Sequence, residues 1–440
     1  MRAVSVALGA ALLIALAAAA FLVWAARPAI APIEPPSPAD FSADLVDKGA
    51  QLAAIGDCAG CHTNSDGSPY AGGVALPTPF GSIYGTNITP DPDTGIGSWS
   101  RVAFARAMRE GIDRRGRHLY PAFPYDHFNK LADGDIDAIY AFLMTREPVR
   151  ATSPPNRLVF PLNARIVAAA WKLLFLRPAR SEPRSDKSDP WNRGAYLVEG
   201  LGHCGACHTP RNILGAEEPQ KALAGGEQEG WIAPSLDQDS PAPIHWTEES
   251  LFAYLRVGSD RLHGVAAGPM TSVVRHLRPA LDEDVRAMAV YIASTMGEPA
   301  PERRSREEEI FASLPKGGSA DAIATAEPAG SAADAAPTGA QIFAATCSGC
   351  HTNRSSRPLG GRPLVLQTAV ALASPRNLIE IILHGIEPAE SEPGEMMPGF
   401  ADVLTDKQIA ELAAYVRSRF SDGPAWSNIE DVVRGIRNGR

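Results

Sequence analysis

Six cysteines and three histidines stand in one arrangement that occurs three times: Cys58-Ala59-Gly60-Cys61-His62, Cys204-Gly205-Ala206-Cys207-His208 and Cys347-Ser348-Gly349-Cys350-His351. Two thiols two residues apart match the two vinyl groups on one edge of a porphyrin and form thioethers with them. The adjacent imidazole then lies under the ring, where it binds iron. The spacing therefore predicts three covalently bound haem c groups. Cys58, Cys61, Cys204, Cys207, Cys347 and Cys350 make the covalent links, and His62, His208 and His351 are the proximal iron ligands. Zinc would need a further pair of ligands, and all six cysteines are already used.

A haem that only transfers electrons commonly carries a methionine opposite the histidine. Met270 follows Gly268-Pro269, well downstream of His208, and is the expected distal ligand of the second haem. Met397 lies between His351 and the last apolar helix and is the expected ligand of the third. It is preferred to Met396 because the following Pro398 favours an extended approach of the chain. The first repeat departs from this pattern. At the spacing that separates Met270 from Trp246, the first repeat has Phe123 after Trp99, and Phe cannot ligate iron. Gly111 to Phe123 is likewise the same spacing as Gly258 to Met270, so the register holds. Three readings stay open for the first haem: His127 swings in as distal ligand, the iron is open or water-bound under Phe123, or His118 or Met108 ligates. Met108 aligns with Leu255 and reads better as helix core. Without a thioether the first haem is expected to have the lowest potential of the three.

Three elements recur around each motif. A short helix leads into the cysteines, a middle helix follows, and a closing helix carries apolar residues at helical spacing: Ile136, Ile139, Tyr140 and Leu143; Val285, Met288, Tyr291 and Ile292; Ile409, Leu412, Tyr415 and Val416. Ser100, Thr247 and Ser374 read as N-caps of the middle helices. The expected fold is all-α, with three tandem class I cytochrome c domains after an N-terminal transmembrane helix.

The predicted boundaries are 1–27 for the anchor or signal, 28–40 for a Pro-rich spacer holding the first domain off the membrane, and 41–149 for the first domain. A connector with an apolar run follows at 150–185, then the second domain at 186–298. A flexible linker at 299–337 leaves the third domain, 338–422, free to move, and a tail occupies 423–440. Residues 3–26 carry no charge, enough to cross a bilayer, and exceed the apolar core of a signal peptide. The run 167–176 is too short to span; it packs under the first two domains or dips into the membrane interface or a partner. The polar loop Thr86–Asp91 with Thr94 is expected to bond haem propionates, and Arg211 is a further propionate candidate. His203 and His384 have no assigned role.

The chain has 440 residues and a net charge of −9, which argues against nucleic-acid binding. No Gly-rich phosphate loop, nucleophile elbow or zinc-protease motif appears, so no organic substrate is expected to be bound.

Three such motifs behind an apolar N-terminus, with Asn87-Ile88-Thr89-Pro90-Asp91, Thr94-Gly95-Ile96-Gly97 and Gly202-His203-Cys204-Gly205-Ala206-Cys207-His208-Thr209-Pro210-Arg211-Asn212, resemble the triheme cytochrome c subunits of periplasmic alcohol, gluconate, sorbitol and aldehyde dehydrogenases. Phe123 departs from the better-known members and is more like the branch accompanying molybdenum hydroxylases. The resemblance implies an electron-transfer subunit without catalysis of its own, on the periplasmic side of the inner membrane. It implies a molybdenum or flavin dehydrogenase subunit as donor partner, and ubiquinone or a terminal oxidase as acceptor. The rival reading is a peroxidase-like enzyme that uses an open first haem, with His127 or Asp126 as acid-base group.

Overall fold

The computed structural model describes residues 2–64, 67–314, 338–351, 362–386 and 397–439. The chain divides into two compact units, one of Met1–Pro183 with Glu199–His203, the other of Arg184–Val198 with Cys204–Arg440.

In the first unit, helix α1 (Arg2–Ala25) is long and apolar enough to cross a membrane. Helices α2 (Ala43–Ile55), α3 (Arg101–Glu110) and α4 (Asp133–Met144) form the first helical group, and α5 (Arg165–Phe175) follows. Ser42 and Ser100 cap α2 and α3 through the amides of Leu45 and Ala103, which supplies an acceptor to otherwise unpaired N–H groups. Ile136, Ile139, Tyr140 and Leu143 of α4 are all buried, as their spacing predicts. A three-stranded antiparallel sheet, β1 (Ala75–Thr78), β2 (Gly81–Tyr84) and β3 (Arg157–Leu158), stands beside them.

The second unit begins with α6 (Asp189–Tyr196), continues through α7 (Glu248–Val257), α8 (Pro269–Leu277) and α9 (Asp282–Met296), and then forms α10 (Pro301–Ser313). A third group comprises α11 (Gly339–Thr346), α12 (Arg376–His384), α13 (Asp406–Phe420) and α14 (Ile429–Arg437). A two-stranded ribbon pairs β4 (Gly226–Gln228) with β5 (Trp231–Ala233).

One device holds the leading helix of each group against the closing helix. Gly49, Gly194 and Gly339 sit where a Cβ would collide with the backbone oxygens of Ala138, Ala287 and Glu411. Glycine lets the backbones touch, and the next turn of the closing helix places Phe142, Tyr291 or Tyr415 beside it. In two of the three, a cation just before the glycine pairs with an acid of the closing helix: Lys48 with Asp135 at 2.6 Å and Arg193 with Asp284 at 2.7 Å.

Five expectations change. The stretch after α1 does not stand off as a free spacer. Its Ile30 amide donates to Arg114 O (2.8 Å), its Ile33 amide donates to Ser98 O (3.1 Å), and Arg106 Nη1 donates to Pro28 O (2.7 Å). The start of the expected linker is helix α10. Arg303 donates to the carbonyls of Ser240 and Ala242, and Ile310 is buried with Ile244 and Leu366. Residues 315–337 of that linker lie outside the described residues. The expected tail contains α14, whose Val433 and Ile436 complete the core of the third group. Helix α12 begins one residue later than a Ser374 cap implies, with Pro375 at the cap and Ser374 Oγ accepting from the Arg376 amide at 3.3 Å. Met270, which the Gly268-Pro269 step before it reads as a loop residue ahead of the closing helix, lies instead in the first turn of α8.

Asn377 joins the third group to the second. Its Nδ2 donates to Ile232 O and its Oδ1 accepts from the Ile232 amide, both at 2.8 Å, so the side chain continues the edge of β5 like an added strand. Asn377→Ala is expected to lower stability by about 2 kcal/mol, because two backbone groups lose their partners. Guanidinium unfolding that leaves the midpoint unchanged would contradict this.

Lys172 is buried on α5 and donates to Glu110 O (2.7 Å) and Gly111 O (2.8 Å). Burial, helped by nearby Arg27 and opposed by Glu110, pushes its pKa down to about 7. An unfolded lysine keeps its proton to about pH 10. Between these values the unfolded chain binds more protons than the folded one, so this group makes stability rise with pH across that window. The stability of the wild type relative to Lys172→Met should therefore increase from pH 7 to about pH 10; a difference that stays flat would refute this.

Candidate haem sites

Each motif forms a short helical turn, Cys58–His62, Gly205–His208 and Ser348–His351, downstream of its leading helix. In each, the histidine Nδ1 faces a backbone carbonyl: His62 to Thr86 O at 2.5 Å, His208 to Pro234 O at 2.7 Å and His351 to Arg362 O at 3.2 Å. A carbonyl only accepts, so Nδ1 carries the proton in all three. That tautomer presents Nε2 as the lone-pair nitrogen, the form a metal-binding imidazole needs. Burial holds all three histidines below the usual range, against the opposing pull of the carbonyls, and keeps the rings neutral. Burial also pushes the thiols of Cys58 and Cys204 up to about 12 and raises that of Cys347. Paired thiols beside a neutral, oriented imidazole fit a porphyrin with reactive vinyl groups.

The loops beyond the motifs are close-packed against them. A Cβ on Gly85 would collide with Cys61 O, and one on Gly226 with Cys207 O. These carbonyls and glycines were not identified from the sequence. The glycines carried a faint signal, since Gly85 follows β2 directly and Gly226 opens β4. The carbonyls carried none.

The register between the first two repeats is reproduced in the backbone. Gly111 and Gly258 end α3 and α7 in the left-handed conformation, at φ 57° and 81°. Gly111 O accepts from the Leu119 amide and Gly258 O from the Ala266 amide, each at 2.7 Å and each at the same step along the chain. Phe123 thus holds the position that Met270 holds in the second unit. Its ring packs on Tyr125 and Phe128, with centroids 6.4 and 5.4 Å away. Met108 and Leu255 are both buried in their helices. Met397 forms a backbone bridge with Ile386, which places it beside α12. Met396 lies outside the described residues.

His127 is buried in the short helix Tyr125–Phe128, and its Nδ1–H donates to Glu199 O at 2.8 Å. Its ring lies 6.5 Å from that of His203. His203, unassigned from the sequence, is half-buried and donates from Nε2 to Gly56 O at 3.3 Å, just ahead of Cys58. His118 is committed elsewhere: its Nε2 donates to Ala25 O at 2.8 Å, the last residue of α1. His384 pairs with Glu380 at 3.4 Å.

The polar loop does not offer its donors outward. Asn87 Nδ2 donates to Thr94 Oγ1 and Val149 O, Asn87 Oδ1 accepts from Thr89, and Asp91 accepts from Thr94. The loop is a self-satisfied scaffold that aims the Thr86 carbonyl at His62. Arg211 is likewise used locally, donating to Ala206 O (2.8 Å) and Gly215 O (2.7 Å).

The family model for cytochrome c matches residues 46–147, and that for cytochrome C oxidase, cbb3-type, subunit III matches residues 334–416. The chain is 44% identical over 420 residues to a nicotinate dehydrogenase subunit of Pseudomonas putida, covering 94% of this chain and 34% of that protein. It therefore spans about a third of that relative's length. It is 37% identical to the fructose dehydrogenase cytochrome subunit of Gluconobacter japonicus, over 92% of this chain and 85% of that one. It is 34% identical to the gluconate 2-dehydrogenase cytochrome c subunit of Pantoea cypripedii, over 89% of each.

Proposed function

Because the chain belongs to the cytochrome c subunits of dehydrogenases, electron-transfer components rather than catalytic ones, we propose that it carries three haem c groups and relays electrons from a dehydrogenase catalytic subunit to ubiquinone or a terminal oxidase. The observation that carries the count is the threefold repetition of a cysteine pair with a histidine whose Nδ1 is held by a carbonyl. The donor partner is a molybdenum or flavin dehydrogenase subunit. Helix α1 anchors the chain in the inner membrane, with the haem domains on the periplasmic side.

Haem c supplies a reversible one-electron iron couple when bound. The chain's own residues do the rest. The cysteine pairs fix the porphyrin edge, and the three carbonyls orient the imidazoles and raise their basicity. The glycine crossings keep the leading and closing helices together around each motif. Met270 and Met397 would supply thioether ligands to the second and third haems, and Phe123 would leave the first without one. The domains run over residues 41–149, 186–298 and from 338 onward, with α14 added to the last.

The test is purification of the full chain with its membrane partner. A mass for three haems and a co-purifying dehydrogenase subunit are expected. A mass for two haems would reject the third site, and peroxide turnover by the isolated chain would favour an enzyme over a relay.

A further inference from the structure

Helix α5 is built inside out for a helix that faces water. Its two charged residues, Arg165 and Lys172, turn inward: Arg165 Nη1 donates to His118 O at 2.7 Å, and Lys172 is buried on the carbonyls of Glu110 and Gly111. Its small residues Ala168 and Ala169 pack on the same inner side. The outward face instead carries Ile166 (42% exposed), Leu173 (53%) and Leu174 (55%). The step before the helix adds Val159 (59%) and Phe160 (86%). A water-facing helix shows the opposite distribution. A contiguous apolar patch on a soluble domain marks a surface that something covers.

The cover is indicated by what the patch adjoins. Arg165 grips His118 by its carbonyl, and the ring of the same His118 donates to Ala25 O, where α1 ends. The Trp24 ring stands 6.3 Å from the His118 ring, and Gly116 closes on the Arg27 carbonyl. The end of the apolar helix and the start of α5 are therefore fixed to one residue. Ile166, Ala170, Leu173 and Leu174 offer no hydrogen-bonding group, as the acyl-facing side of an interfacial helix requires.

We propose that the outward face of α5, with Val159 and Phe160, lies in the headgroup–acyl boundary of the bilayer that α1 crosses, as an interfacial helix that holds the first unit flat on the membrane. This rests on reading α1 as a membrane anchor.

The test uses the full haem-loaded chain in vesicles of phosphatidylethanolamine and phosphatidylglycerol. Phe160→Cys, Leu173→Cys and, as reference, the exposed α3 position Val102→Cys are spin-labelled one at a time. Collision with oxygen, which partitions into lipid, is compared with collision with a water-soluble nickel chelate. A severalfold higher oxygen-to-nickel ratio at 160 and 173 than at 102 is expected. Equal ratios in protein that survives an alkaline wash would overturn the inference and leave the anchor standing. A ratio that rises at 160 and 173 only after a dehydrogenase subunit is added would overturn it in favour of a protein partner. Release of the chain by the wash would refute the anchor reading itself, and the inference with it.

Discussion

In a redox titration of the haem-loaded chain, Met270→Phe is expected to lower the potential of the second haem, and Phe123→Met to raise that of the first. The two substitutions exchange one atom type between equivalent positions. Gly111 and Gly258 end their helices in the same left-handed turn, and the same amide-to-carbonyl bond closes each following loop at the same step along the chain. A thioether on iron favours the reduced state, so its loss lowers a potential and its gain raises one. Met270→Phe should also abolish the methionine-to-iron charge-transfer band of that haem. Phe123→Met should create one. Unchanged potentials in both variants would reject Met270 as ligand and Phe123 as its counterpart. A wild-type titration that resolves the first haem as the highest of the three would reject the assignment equally.

Gly194→Ala should cost about 1–3 kcal/mol, the range of an overpacked core. The new methyl group would collide with Ala287 O and crowd Tyr291 Cβ. Neither backbone can yield without parting α6 from α9, and α6 runs straight into Leu197–Leu201 and then Cys204. The cost should therefore appear twice, as a lower unfolding midpoint and as a weakened low-spin spectrum of the second haem. Gly49→Ala and Gly339→Ala should act alike in their own groups. Gly134→Ala is the control: it lies in the first turn of α4 with open space where its Cβ would be, and alanine there should be neutral or slightly stabilising. Equal stability of Gly194→Ala and Gly134→Ala would show that the close helix crossing is not needed.

Much of the site was legible without coordinates because its chemistry is local. A cysteine pair and its histidine occupy one helical turn, so adjacency in the chain is adjacency in space. The caps at Ser100 and Thr247 lie within one turn of the amides they accept from, and both were correctly placed. Apart from the one-residue shift of the α12 cap and the place of Met270, the expectations that changed involved partners far along the chain. The polar side chains of 86–94 are spent on one another and on the distant Val149 carbonyl. His118, a candidate ligand by residue type, is taken by Ala25. The segment after α1, the start of α10 and the terminal α14 were read as spacer, linker and tail from composition, yet each finds a surface that accepts it.

By itself the sequence determined the three cysteine pairs, the histidine that follows each, and that the first repeat lacks the methionine of the second. These follow from bond lengths and turn geometry within a few residues. Only the tertiary structure decided which carbonyl holds each histidine, which glycine must stay bare, and that the two charges of α5 turn inward while its leucines turn out. A backbone oxygen looks the same at every position of a sequence, and a helix shows which way it faces only once its neighbours are in place.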